Sequence, residues 1–192
     1  KQPVSAGGLG VDCPITGGTN FSSDDRSDLF LNAHYDYIAR HTYQSHPTTG
    51  TEYQVGTAVS NGNSTLKDVG GNTFANASFR KLMGLPYIVT ESLIAEPNIH
   101  SVEFNLIASA IYSYQGWSLT AFTYMNKALD KRTNQITNSF IIMDHPGRFS
   151  TITSASLLYH RAEITKAEIG YYRVITVDDA MDYKNQILGL PE

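Results

Sequence analysis

A strand-length apolar run followed by an amphipathic helix, repeated down the chain, limits this sequence to one kind of sheet. The clearest unit begins with Leu85-Pro86-Tyr87-Ile88-Val89-Thr90-Glu91. Pro86 marks its entry, and the β-branched and aromatic residues that follow favour a strand. A helix follows, capped by Asn98 or Ser101 just after Pro97 and ended by Gly116. Val102, Leu106 and Ala110 recur at a spacing of four, and Ile107, Ile111 and Tyr114 broaden that stripe. Strands joined through helices lie parallel, with helices covering the faces of the sheet.

The same alternation extends on both sides. Cys13-Pro14-Ile15-Thr16 reads as a first short strand, and Asp24 to Asn32 as a helix opened by a serine- and aspartate-rich cap. Tyr37 to Tyr43 reads as the second strand. Gln44 to about Thr73 is a long polar loop, a length usual for a lid or binding loop. Phe74 to Met83 reads as a helix stopped by Gly84, and the run to Glu91 is the third strand. Trp117 to Tyr124 is the fourth strand, and Met125 to Asn138 a second loop. Phe149 to His160 is the last helix of the pattern, with Ile152, Ala155, Leu158 and Tyr159 facing inward. The tail offers a strand, Tyr171 to Thr176, and a short polar helix, Asp178 to Ile187.

Composition narrows the classes. At 192 residues, 41% hydrophobic and 17% charged, the chain can bury one good core. Its net charge of −4 and the lack of a basic stripe argue against a nucleic-acid partner. The longest apolar runs are too short to span a bilayer, so no membrane partner is expected. Cys13 is the only cysteine, which rules out an intrachain disulfide and a cysteine metal cluster. Asp144, His145 and His46 match no strong metal-ligand spacing, and no metal or other cofactor is expected. Gly7-Gly8-Leu9-Gly10 precedes the first strand instead of following it, so it reads as a loop and not as a dinucleotide fingerprint. No G-x-S-x-G elbow occurs, which disfavours an esterase. The opening Lys1-Gln2-Pro3 implies a processed or excised piece of a longer protein.

Glu91 is the leading candidate for chemistry. A carboxylate at the C-terminal end of a parallel strand stands where barrel enzymes carry catalytic groups. His41-Thr42-Tyr43-Gln44-Ser45-His46-Pro47 resembles the sixth barrel strand of clan A glycoside hydrolases, which ends in a His-x-Tyr pattern. Leu85 to Glu91 resembles their seventh strand, whose terminal Glu is the nucleophile. Pro97-Asn98 through Glu103 to Tyr114-Gln115-Gly116-Trp117 resembles the following helix, running into an eighth strand at Thr120 to Tyr124. Asp144-His145-Pro146 resembles the loop before the last helix. The order and spacing of these segments, over about residues 10 to 162, make the C-terminal half of a retaining (β/α) barrel the family that the chain resembles.

That resemblance implies an α/β fold: a half (β/α) barrel of about four parallel strands over residues 1–163, with a C-terminal appendage over 164–192. It implies hydrolysis of O-glycosidic bonds, with Glu91 as nucleophile and Tyr43 as the hydrogen-bond donor that orients it. His41 would contact a sugar hydroxyl or the same carboxylate. Trp117, Phe122 and Tyr124 would offer stacking faces to a carbohydrate. The clan's acid/base Glu stands in an Asn-Glu pair on its fourth strand, and no Asn-Glu dipeptide occurs here. Glu52, Glu96 and Glu103 do not match that position. The other reading is therefore a carbohydrate-binding or structural half-barrel without turnover. Either form would leave strand edges open and favour a homo-oligomer.

Overall fold

A computed structural model describes residues 13–17, 26–44, 64–67, 73–95, 98–119, 129–130, 135–136, 140 and 145–182. Over these the fold is mixed α/β, with a small parallel sheet of three strands and flanking helices. In chain order the elements are α1 (Arg26–Asn32), β1 (Ile38–Gln44), α2 (Thr73–Ser78), β2 (Tyr87–Ile94) and a 3-10 turn (Ser101–Glu103) leading into α3 (Phe104–Gln115). Then come β3 (Ser118–Leu119), β4 (Leu129–Asp130), β5 (Gln135–Ile136), α4 (Pro146–His160) and α5 (Val177–Met181). The sheet order is β1-β2-β3, all parallel, and β4 and β5 form a separate antiparallel pair inside the segment expected to be loop.

The core lies between the sheet and its helices. Tyr87, Val89 and Ile94 of β2 pack with Phe104, Ala108 and Tyr112 of α3, with Phe74 of α2 and with Trp117. The aromatic rings make most of this contact: Tyr87 and Tyr112 lie 4.9 and 5.5 Å from Trp117, and Phe74 lies 5.4 Å from Phe104. Large rings bury more area than Val or Leu, so they decide which face of α3 turns inward. That face is Phe104, Ala108 and Tyr112, while Val102, Leu106 and Tyr114 of the expected stripe are exposed. Ile107 and Ile111 flank the buried face as expected. Gly116 ends α3 at φ +63°, with its N–H donating to Ser113 O and the Trp117 N–H to Tyr112 O. At the other helix, Pro146 opens α4, and the His145 ring accepts the Arg148 N–H as an N-cap.

Several expected elements differ. Cys13 to Thr16 is not a strand; Ile15 instead pairs with Asp36, through its N–H to Oδ2 and through its carbonyl to the Asp36 N–H. Pro14 cannot donate to a ladder, and a run this short does not hold a sheet position alone. Four parallel strands thus become three among the described residues. The helix expected to reach Met83 ends at Ser78, and Gly84, at φ +84°, turns the chain in the loop before β2. Tyr171 to Thr176 forms no strand, and its Tyr171, Tyr172 and Val174 are exposed. Alternating apolar residues without a neighbouring strand to bond make no sheet. The expected helix at Asp178 is seen as Val177–Met181, closed by a reciprocal capping box between Thr176 and Asp179. The tail is held to the rest of the chain: the Ala167 N–H donates to Tyr114 O, and α5 packs on α1. No helix among the described residues is long and apolar enough to cross a membrane.

Candidate functional site

A one-residue irregularity in the ladder decides where Glu91 points. β1 and β2 pair in register from Ile38↔Tyr87 to Arg40↔Val89, and then His41 pairs with Glu91. Thr90 is the extra residue, and its hydroxyl donates to the Arg40 carbonyl. Side chains alternate faces along a strand. In an unbroken register Glu91 would lie opposite Thr42, whose hydroxyl meets Tyr112 of α3. The bulge instead sets Glu91 opposite His41, on the face turned away from α3. Bulges beside functional sites re-aim side chains in this way. Glu91 is not the last residue of its strand, as its sequence suggested; β2 continues through Ser92, Leu93 and Ile94.

Three groups meet on that face. The Tyr43 hydroxyl donates a short hydrogen bond to Oε2 of Glu91. Nδ1 of His41 lies 3.1 Å from the same oxygen. This approach has the distance of an ion pair but not the alignment of a hydrogen bond, so its effect is electrostatic. The Tyr43 ring stands edge-on to His41 and, on its other side, to Phe140, at 6.1 and 5.3 Å. The rings fix the tyrosine between two walls and leave the carboxylate 23% exposed. His41 is only 11% exposed, and burial holds its pKa below the ordinary value of 6.5, against the opposing pull of Glu91.

The geometry can present a carboxylate with one oxygen clamped. Among the described residues Oε1 carries no hydrogen bond, which leaves it as the oxygen to meet an electrophile. Phe140 was not singled out from the sequence; no pattern in its neighbourhood links it to Tyr43, and only the folded contact shows it. The second described carboxylate near the top of the sheet, Glu103, is engaged elsewhere. It accepts from Ser64 Oγ and from the Thr65 N–H at 2.6 Å, pinning that turn to the start of α3.

Trp117 does not serve as a sugar platform. It is 2% exposed and packs between Tyr87 and Tyr112. It also precedes β3, whose Ser118 pairs with Ile88, so it stands at the N-terminal end of the sheet, away from Glu91. An indole at a strand entry is buried by the helix that delivers it, which is the packing role its size favours. Phe122, Tyr124, His46 and Asp144 lie outside the described residues. Among the described residues no group of three His, Cys, Asp or Glu stands close enough to hold a metal ion. Two cavities bounded by described residues lie away from Glu91, one behind the sheet and one at its N-terminal end. Compared with known protein families, with curated proteins and with solved structures, the chain shows no match.

Proposed function

We propose that this chain carries the nucleophile-bearing part of a retaining O-glycosidase site, set in a half (β/α) barrel, with Glu91 as the attacking carboxylate. The observation that supports the reading is the Tyr43–Glu91 hydrogen bond between neighbouring parallel strands. In this mechanism Oε1 attacks the anomeric carbon, the glycosidic bond breaks, and a glycosyl ester forms on Glu91; water then releases the sugar. Tyr43 holds the other oxygen in place through both steps.

The leaving group needs a proton, and general acid help is worth about 10²–10⁴ in rate. The clan supplies it from an Asn-Glu pair that these 192 residues do not contain. Unactivated oligosaccharides are therefore expected to turn over very slowly with this chain alone. An activated aryl glycoside needs no such proton. A panel of dinitrophenyl 2-fluoro glycosides should leave a covalent sugar on the Glu91 peptide, read by mass spectrometry, and Glu91→Gln should carry none. The missing acid pair also favours a second reading, a carbohydrate-binding site without turnover. Sugars that bind saturably while no panel member labels Glu91 would establish that reading instead.

A further inference from the structure

A cleft of about 480 Å³ lies between the last turn of α3, the end of α4 and the segment that follows it, Ala162 to Lys166. No Asp or Glu borders it. The carbonyl oxygens around it already accept hydrogen bonds. Tyr112 O and Ser113 O take the Gly116 and Trp117 N–H groups. Trp117 O takes the Tyr159 hydroxyl, and Tyr159 O takes the Ala162 N–H.

Two side chains that border the cleft hold buried donors without a hydrogen-bond partner: Nε1 of Trp117 and Oγ of Ser113. Trp117 is 2% exposed, and Tyr87 and Tyr112 pack on its ring. An indole N–H can only donate, so it calls for an acceptor. Left unpaired, a buried polar group is costly. Lys166 adds a positive charge. Its stem crosses Gly116, where a Cβ would lie 2.6 Å from Cε and 3.1 Å from Nζ. The negative end of α3 is already answered by Lys81, which donates to Gln115 O at 2.7 Å. Burial, and then the charge of Lys166, hold Lys81 below its ordinary pKa, so the second ammonium is felt by the first. Of the acids nearest in sequence, Glu163 pairs with Arg161 and Glu168 borders a neighbouring cavity.

We propose that this cleft binds a small monocarboxylate, one oxygen accepting from the Trp117 indole N–H and the Ser113 hydroxyl and the other from the Lys166 ammonium. One negative charge balances Lys166, and an acceptor-only group suits two unpaired donors beside a cation. Neither buried donor touches solvent, so the carboxylate reaches them as the flexible Lys166 side chain swings off Gly116. Ala162 and Ile164 offer its tail an apolar wall. The site is independent of the glycosidase reading, since Trp117 stands at the N-terminal end of the sheet, away from Glu91.

Trp117 is the only tryptophan, so a single indole N–H cross-peak in the ¹H–¹⁵N spectrum of the whole chain reports on the site. Sodium propionate, exchanged for sodium chloride at constant ionic strength, should move that peak downfield in its proton dimension and saturate. Propionamide, of nearly the same shape without the charge, should leave it in place. Ser113→Ala should weaken propionate about tenfold, the loss of one charge-assisted hydrogen bond. Lys166→Gln should weaken it about threefold to fivefold, since that charge is exposed. No saturable movement in the wild type, or one that either variant leaves at full affinity, overturns the site. An equal response to propionamide overturns the ligand class.

Discussion

Glu91, Tyr43 and His41 depend on one another, and each can be tested alone. A hydrogen bond to a charged group contributes about 1.5–3 kcal/mol, and each 1.36 kcal/mol is about tenfold in rate. Tyr43→Phe should therefore slow labelling of Glu91 by an activated glycoside at least about tenfold. The rings of His41 and Phe140 would still pack the phenyl group, so the chain should still fold, with an unfolding free energy lower by no more than about 1.5–3 kcal/mol. His41 makes a different prediction. Its folded pKa lies below 6.5 because it is buried. As pH falls from 6.5 toward the folded value, the unfolded chain takes up a proton that the folded chain does not. Stability is therefore full above the ordinary value and declines as pH drops through that window. Urea midpoints measured from pH 7.5 to 5 should show this decline, and His41→Gln should flatten part of it.

Among the elements, β2 and α3 set the geometry of both faces. β2 carries Glu91 to one side and Ser92 to the other, and the extra residue Thr90 makes that division. α3 is fixed by its end as much as by its face. Gly116 at φ +63° closes the helix and turns Trp117 back into the core. A Cβ there would also meet the Lys166 side chain at 2.6 Å. The flexible lysine can move, but the left-handed backbone still costs about 1–2 kcal/mol for a non-glycine residue. Gly116→Ala should lower the unfolding free energy by about that amount in urea titrations, while leaving Glu91 labelling intact.

For the molecule as a whole, the described sheet has β1 and β3 at its edges. Among the described residues the tail lies against Tyr114 and α1 and takes no place in the sheet. Open edges pair readily with another chain, most simply about a twofold axis. We therefore expect a homodimer or higher oligomer, which light scattering across a dilution series would show as a mass that falls on dilution. A folded monomer at every concentration would mean that other segments of this chain cover the edges.

Apolar periodicity alone determined the existence and order of β1, α2, β2, α3 and α4, because burying a stripe or a run is a local requirement. The glycine at the end of α3 and the proline at the start of α4 were legible for the same reason: each answers to its own backbone. The run ending at Glu91 located the candidate carboxylate and, through the His-x-Tyr pattern, its partner. What the sequence could not determine was anything that two distant segments settle together. Cys13 to Thr16 and Tyr171 to Thr176 have strand-like residues and no strand, because pairing is settled by the partner strand as much as by the run itself. The buried face of α3 turned toward Phe104 and Tyr112, because the rings of Phe74 and Trp117 were there to meet them. Glu91 faces Tyr43 and not Tyr112 because one residue of β2 bulges out of register, and register is a property of two strands that neither sequence holds by itself.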